Sequence, residues 1–279
     1  MSLIKPSFST GYAKNASESA HPNLWKGLVG AWMPSFGVTG GTLKDVSWNG
    51  NDGTLTNMDA ASDWVATAKG LALDFNASLQ RVEGETSYQF NSSVTICATI
   101  KWKSASNYPR VFDFSDGLSS LQLVWDFGTG GNNRLKTKDD RWQVNAPYYQ
   151  STSFGSSPPL VGKWYTYAAL FDSTNQINRL YVNSIEQSSS ASGNVGSASS
   201  SQNFKLAIRR DNNSVTDADA EYLAVSIYNR ALCPTEIKQL HLNPSAAFKR
   251  KQQTVGIFTA QAFNPYWATQ ATQLTGTLQ

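Results

Sequence analysis

Apolar runs bounded by Gly, Asn, Asp, Ser or Pro recur through the middle of the chain. Residues 94–102 read Val-Thr-Ile-Cys-Ala-Thr-Ile-Lys-Trp, and similar runs occupy 110–114, 121–125, 164–171, 178–182 and 204–208. Their β-branched and aromatic content predicts strands. No helical repeat is interleaved with them, so the pattern predicts an antiparallel sandwich rather than a βαβ sheet. The serine runs at 188–190 and 199–201 read as loop. Residues 128–157 are long and weakly patterned, which makes that segment the expected place for a binding surface.

One helix interrupts this reading. In Pro234–Leu242, proline takes the first helical position, Glu236 follows two residues later, Ile237 and Leu240 share a face, and Asn243-Pro244 ends it. Cys233 is a poor N-cap, so the helix is expected to depend on packing. His241, beside the stop, is expected to complement the C-terminal end of the dipole.

Composition narrows the chemistry. Only 15% of residues are charged, while 12% are aromatic, enough for a substantial core. Two histidines and two cysteines exclude a His-rich metal site, a zinc finger and a disulfide framework. Cys97 and Cys233 are expected as two separate buried thiols, with a single bridge between them as the alternative. No apolar run is long enough to span a membrane, so no membrane insertion is expected. The start, Met1 to Ser7, lacks the apolar core of a signal peptide.

Charge is unevenly placed. Residues 1–24 carry a net +1, and 245–279 carry +3 from Lys249, Arg250 and Lys251, which leaves −1 for the body between. A near-neutral body argues against a nucleic-acid groove. The ends also hold apolar groups: Phe8 and Tyr12 on one side, and Ile257, Phe258 and Trp267 on the other. Such groups are costly to leave in water, so 1–23 and 249–279 are expected to be arms. They would dock on neighbouring subunits of a homo-oligomer, or on the same body.

Two stretches carry a family resemblance. The first runs through Gly27-Leu28-Val29-Gly30-Ala31-Trp32, then Asp45-Val46-Ser47-Trp48-Asn49-Gly50-Asn51-Asp52-Gly53, Trp64 and residues 70–75. The second comprises Trp164, Tyr181-Val182-Asn183 and residues 223–237, which contain Ile227-Tyr228-Asn229-Arg230-Ala231-Leu232. In this order the chain resembles the concanavalin A-like lectin/glucanase superfamily in its laminin G-like form, over residues 24–248. The resemblance implies an all-β jelly-roll sandwich of two antiparallel sheets, with one short C-terminal helix and extended N- and C-terminal arms. Ala31-Trp32 should then pair with the strand ending at Tyr228. Asp45 and residues 49–53 should form a turn that satisfies its own backbone. Asn183-Ser184 stands where the family often has Asp-Gly, so that hairpin is expected to be looser.

The same superfamily includes glycoside hydrolases with three acids at alternating positions on one strand. Asp217, Asp219 and Glu221 have that spacing, but the first is Asp rather than Glu and the segment follows a loop. It reads as a solvated acidic turn, and the chain as no enzyme. No Gly-x-Ser-x-Gly elbow is present, and the glycine-rich segments 37–41 and 128–131 read as turns. Relatives often hold Ca2+ in a loop, for which Asp113, Asp116, Asp211 and Asn212 are the candidate oxygen ligands. Glycan binding needs exposed aromatics beside hydrogen-bonding groups, and Tyr108, Trp142, Tyr148 and Tyr149 are the candidates. The expected function is therefore a non-catalytic structural protein of a virion, such as a phage head decoration, fibre or tail component. Its partners would be other virion subunits and surface glycans. The alternative is a free carbohydrate-binding protein or glycoside hydrolase.

Overall fold

In the computed structural model, the run at 94–102 lies in the middle of a sheet. The structure describes residues 8–76, 79–88, 93–104, 110–113, 121–127, 133–139, 148–153, 161–172, 174–175, 177–190, 202–207 and 218–252. Among these the strands are β1 (Leu28–Trp32), β2 (Thr42–Leu43), β3 (Gly53–Thr56), β4 (Trp64–Thr67), β5 (Gly70–Phe75), β6 (Arg81–Tyr88), β7 (Val94–Trp102) and β8 (Arg110–Asp113). They continue with β9 (Leu121–Phe127), β10 (Asn133–Asp139), β11 (Tyr148–Ser153), β12 (Trp164–Asp172), β13 (Ile177–Val182), β14 (Ile185–Ser190), β15 (Gln202–Leu206) and β16 (Ala220–Tyr228). Helix α1 follows at Pro234–Leu242. The first sheet has the order β14-β13-β12-β7-β16-β5-β4, with β1 also on β16, and the second runs β11-β10-β9-β8-β15-β6-β3-β2. Both sheets are antiparallel, and together they form the expected concanavalin A-like jelly-roll sandwich. The early pairing is also as expected: Leu28 faces Tyr228 and Trp32 faces Val225.

Strand alternation explains why the first sheet carries apolar residues on both faces. On β7, Val94, Ile96, Ala98, Ile100 and Trp102 enter the space between the sheets, where Val82, Phe112, Phe204 and Leu206 meet them. The polar edges of the buried aromatics are matched there. Trp102 Nε1 donates to the Tyr167 hydroxyl at 3.0 Å, and Trp32 Nε1 donates to the Asn51 carbonyl at 2.9 Å. Outward-facing Cys97, Ala168, Leu170, Tyr181 and Tyr228 form a second core under Leu24, Ile237, Leu240 and Phe248. Thr95 fastens this cover, since its Oγ1 donates to the Arg230 carbonyl at 2.8 Å and accepts from the Leu232 N–H at 3.0 Å.

The helix has the predicted bounds, but its start is better held than Cys233 suggested. The Glu236 carboxylate reaches back to the Cys233 N–H at 3.0 Å and also takes a two-pronged bond from Arg230, 2.7 Å at each oxygen. The cap thus comes from the third helical residue rather than from the N-cap side chain. The two cysteines are separate thiols, but only Cys97 is buried; Cys233 lies exposed at the helix start. His241 does not supply a cation to the helix end at neutral pH. Burial, with Lys69 nearby, holds its imidazole below the ordinary value and so favours the neutral form.

Residues 8–23 lie on this same body rather than away from it. Tyr12 stacks on Phe36 at 4.8 Å and meets Phe248 edge-on at 6.0 Å, with Phe8 edge-on to Tyr12. The N–H of Ala13 donates to the Phe248 carbonyl, that of Ala20 to Lys249, and that of Lys251 to Glu18, each at 2.8 Å. Arg250 lies 3.6 Å from the Glu18 carboxylate. Of the two docking places open to Phe8, Tyr12, Lys249, Arg250 and Lys251, these contacts use the body. Ile257, Phe258 and Trp267 lie outside the described residues.

Three further features differ from the sequence reading, the first being that the serine run at 188–190, expected as loop, ends strand β14 and pairs with β13. Residues 128–157 hold strands β10 and β11, whose polar alternation hid them. In the β13–β14 hairpin, Asn183 and Ser184 both take left-handed backbone angles, φ 51° and 67°. The turn is therefore of the tight two-residue kind that favours Asn-Gly, with the Asn183 side chain accepting from the Thr166 N–H at 3.0 Å. A Cβ in this conformation costs about 1–2 kcal/mol, against about 0.5–1 kcal/mol for glycine's extra chain entropy. Ser184→Gly should consequently raise stability by about 0.5–1 kcal/mol. A urea melt with an unchanged slope and a higher midpoint is the expected record, and a lower midpoint would contradict it.

Candidate functional site

The outer face of the second sheet carries a shallow groove of about 380 Å³, lined by Thr54, Thr56, Glu83, Gly84, Asn203, Phe204 and Lys205. Alternation builds it. On β3, Gly53 and Leu55 point inward, so the hydroxyls of Thr54 and Thr56 point out. On β6, inward Val82 leaves Arg81 and Glu83 outward, and β15 adds Lys205, which faces Glu83 in register. The floor is close-packed, because a Cβ placed on Gly84 would sit 2.1 Å from the Phe204 ring. Only glycine lets that ring lie flat beneath the groove.

One carboxylate along the groove pairs with two cations. Glu83 Oε1 lies 2.6 Å from Lys205 Nζ and 3.1 Å from Arg81 Nε. Burial would raise the Glu83 carboxyl, but its bonds from Arg81 and Lys205 outweigh that and hold it below the ordinary range. Glu83 is thus an ionised hydrogen-bond acceptor rather than a proton donor near neutral pH. With two threonine hydroxyls, an amide and an ion-paired carboxylate, the groove offers both hydrogen-bond donors and acceptors to a polar ligand.

A second cluster occupies the outer face of the first sheet. Asp219 and Glu221 stand on or beside β16, where the sequence reading placed a solvated turn. Glu221 pairs with Lys101 at 2.6 Å, while Lys103 lies 2.6 Å from Asp74 and 3.1 Å from Asp219. Burial works against the Lys103 ammonium, but the bonds from Asp74 and Asp219 outweigh it and raise its pKa. Register supplies the reason for the pairing: Glu221 faces Lys101 across β16–β7 and Asp74 across β16–β5. Asp217 lies outside the described residues.

The residues predicted as sites fall unevenly. Tyr148 and Tyr149 lie on β11, an edge strand of the sheet that carries the groove, while Tyr108 and Trp142 lie outside the described residues. Asp113 is buried on β8 of that sheet and faces Lys205, a poor setting for a cation. Asp116, Asp211 and Asn212 lie outside the described residues. Among the described residues no group of three or more His, Cys, Asp or Glu comes together. No helix there is long and apolar enough to cross a membrane. The groove residues themselves escaped the sequence reading because they form no motif; the only signal was the polar half of the alternation at 81–83 and 54–56.

A family model described as the concanavalin A-like lectin/glucanases superfamily matches residues 76–238. No curated protein matches the sequence. Among solved structures, the binding domain of Paraclostridial Mosquitocidal Protein 1 aligns with a TM-score of 0.60 and 15% identity, over 78% of this chain and 52% of that one. The receptor binding domain of botulinum neurotoxin D aligns at 0.57 and 11% identity, over 79% and 54%. Trypanosoma rangeli sialidase aligns at 0.55 and 18% identity, over 78% and 33%. The chain thus spans about half the length of the two toxin domains and a third of the sialidase, and the likeness is one of fold.

Proposed function

From the premise that the chain belongs to the concanavalin A-like lectin/glucanases superfamily, we propose that it is a non-catalytic, glycan-binding structural component of a virion. The observation that carries the binding part is the groove on the second sheet. Its Thr54 and Thr56 hydroxyls, Asn203 amide and ion-paired Glu83 and Lys205 suit the hydroxyl groups of a sugar. Proteins of the same fold include two toxin binding domains. What supports the non-catalytic part is the state of the acids. A retaining or inverting pair needs one carboxyl kept protonated, whereas Asp219 and Glu221 each face a lysine ammonium and Glu83 faces two cations. The virion part rests on the sequence: Val255, Ile257, Phe258 and Trp267 are apolar groups that follow the basic run Lys249-Arg250-Lys251, suited to contacts between subunits.

The test is binding of the purified protein to a panel of oligosaccharides, with β-glucan hydrolysis followed in parallel. Thr56→Val with Asn203→Ala should weaken binding about tenfold or more, as each lost hydrogen bond is worth about 0.5–1.5 kcal/mol. Hydrolysis that vanishes in Glu221→Gln would overturn the non-catalytic reading. For the assembly part, light scattering should give an oligomer for the full chain and a monomer for residues 1–252. Equal masses would remove it.

A further inference from the structure

The loop between β1 and β3 contains a residue that stability alone does not explain. Trp48 adopts a left-handed backbone with φ 66°, a conformation in which glycine and asparagine are at ease and a bulky side chain is strained. Burial does not compensate it, for the side chain is 58% exposed. The loop around it is fixed. Asp45 Oδ1 accepts from the N–H groups of Ala31 and Ser47, each at 2.9 Å, and Oδ2 accepts from Asn51 at 3.0 Å. Asn49 Nδ2 donates to the Leu28 carbonyl at 3.1 Å, and Asn51 Nδ2 to Val29 at 2.7 Å. The exposed indole therefore stands on a loop whose backbone is fixed by hydrogen bonds. Above its ring, 5.2 Å from the centroid, stands the Lys14 ammonium.

A strained, exposed and preorganised aromatic is an anchor for something that is not part of the body. We infer that Trp48 is the stacking platform of a second sugar site, outside the lining of the groove. The apolar C–H face of a pyranose would lie on the indole face opposite Lys14, whose ammonium already covers the other one. A flat, well-solvated single ring with a polar rim suits a sugar better than a protein partner, which would need a wider apolar surface around its anchor. This inference rests on the glycan-binding reading above and adds a place and a contact to it.

The experiment uses the full chain with Trp48→Gly, Trp48→Ala and the groove variant Thr56→Val/Asn203→Ala, on immobilised neutral oligosaccharides, with a thermal melt of each. Trp48→Gly is expected to raise Tm by about 2–4 °C, as strain is removed. The same variant should weaken binding to at least one oligosaccharide tenfold or more, and Trp48→Ala should lose that binding too. A merely structural tryptophan would show the reverse, a lower Tm in Trp48→Gly, and that result overturns the inference. So does unchanged binding in both Trp48 variants while the groove variant loses it, an outcome that leaves the proposed function standing. If the unmodified protein binds no oligosaccharide, the proposed function falls and this site falls with it.

Discussion

Replacing Trp32 with alanine should destabilise the protein by about 3–5 kcal/mol, the range for removing a fully buried tryptophan. Two separate losses lie behind that figure. The side chain is 0% exposed, and its ring lies 4.2 Å from that of Phe204, so truncation opens a cavity between the two sheets. Trp32 Nε1 also satisfies the Asn51 carbonyl, which would be left without that donor in the loop after β1. The residue stands on the strand that completes one end of β16, opposite Val225, and it bridges to Asp45 as well. Trp32→Phe keeps most of the apolar contact and loses the hydrogen bond, so it should cost clearly less. Denaturant melts of the two variants separate the contributions. A loss below about 1.5 kcal/mol for Trp32→Ala would mean that the sheets can close over the gap.

The second large effect is expected at Glu236. Its carboxylate is gripped by both Arg230 nitrogens at 2.7 Å, by the Cys233 N–H at 3.0 Å and by the Asn23 amide at 3.3 Å. Arg230 in turn donates to the carbonyls of Lys26 at 2.7 Å and Asn23 at 3.0 Å, so one fork ties the helix start to the residues ahead of β1. Glu236→Ala removes the cap and strands a half-buried guanidinium, at an expected cost of about 2–4 kcal/mol. Burial alone would raise this carboxyl, but its bonds from Arg230 and Cys233 outweigh that and bring it down to about 2. In the unfolded chain it returns to an ordinary value near 4.5. The stabilisation is therefore complete above pH of about 4.5 and is lost as pH falls towards 2. In Glu236→Gln, the decline of stability across that window should be shallower than in the unmodified protein. Equal slopes would show that Arg230 does not hold the carboxylate in solution. Glu83 and Asp172, whose carboxyls are also lowered, keep part of the slope in both proteins.

Much of this architecture was legible wherever a strand or helix announced itself locally. Residues 94–102 and Pro234–Leu242 have the right period and the right punctuation, and both elements appear with those bounds. What was hidden depends on partners distant in sequence. Cys97, Leu170 and Tyr181 look like the ordinary apolar content of strands, and nothing nearby signals that α1 will cover them. Asp219 and Glu221 looked solvated because Lys101 and Lys103 lie more than a hundred residues before them. Strands β10 and β11 escaped because Asn133–Asp139 is polar at most positions, so hydrophobic period carries no information there. The groove is the extreme case. Thr54, Glu83 and Lys205 are unremarkable until β3, β6 and β15 lie side by side.

The meeting of residues 18–20 with 247–251 has a consequence for how the protein faces its surroundings. These two segments are hydrogen-bonded to each other where they pack over the first sheet, with the Ser19 hydroxyl on the Ala247 carbonyl at 2.6 Å. The described parts of both terminal segments therefore meet on one side of the body. The groove lies on the opposite surface of the sandwich, outside the second sheet. Tethered on that side to any larger object, the molecule would turn its groove towards the bulk and its seam towards the support.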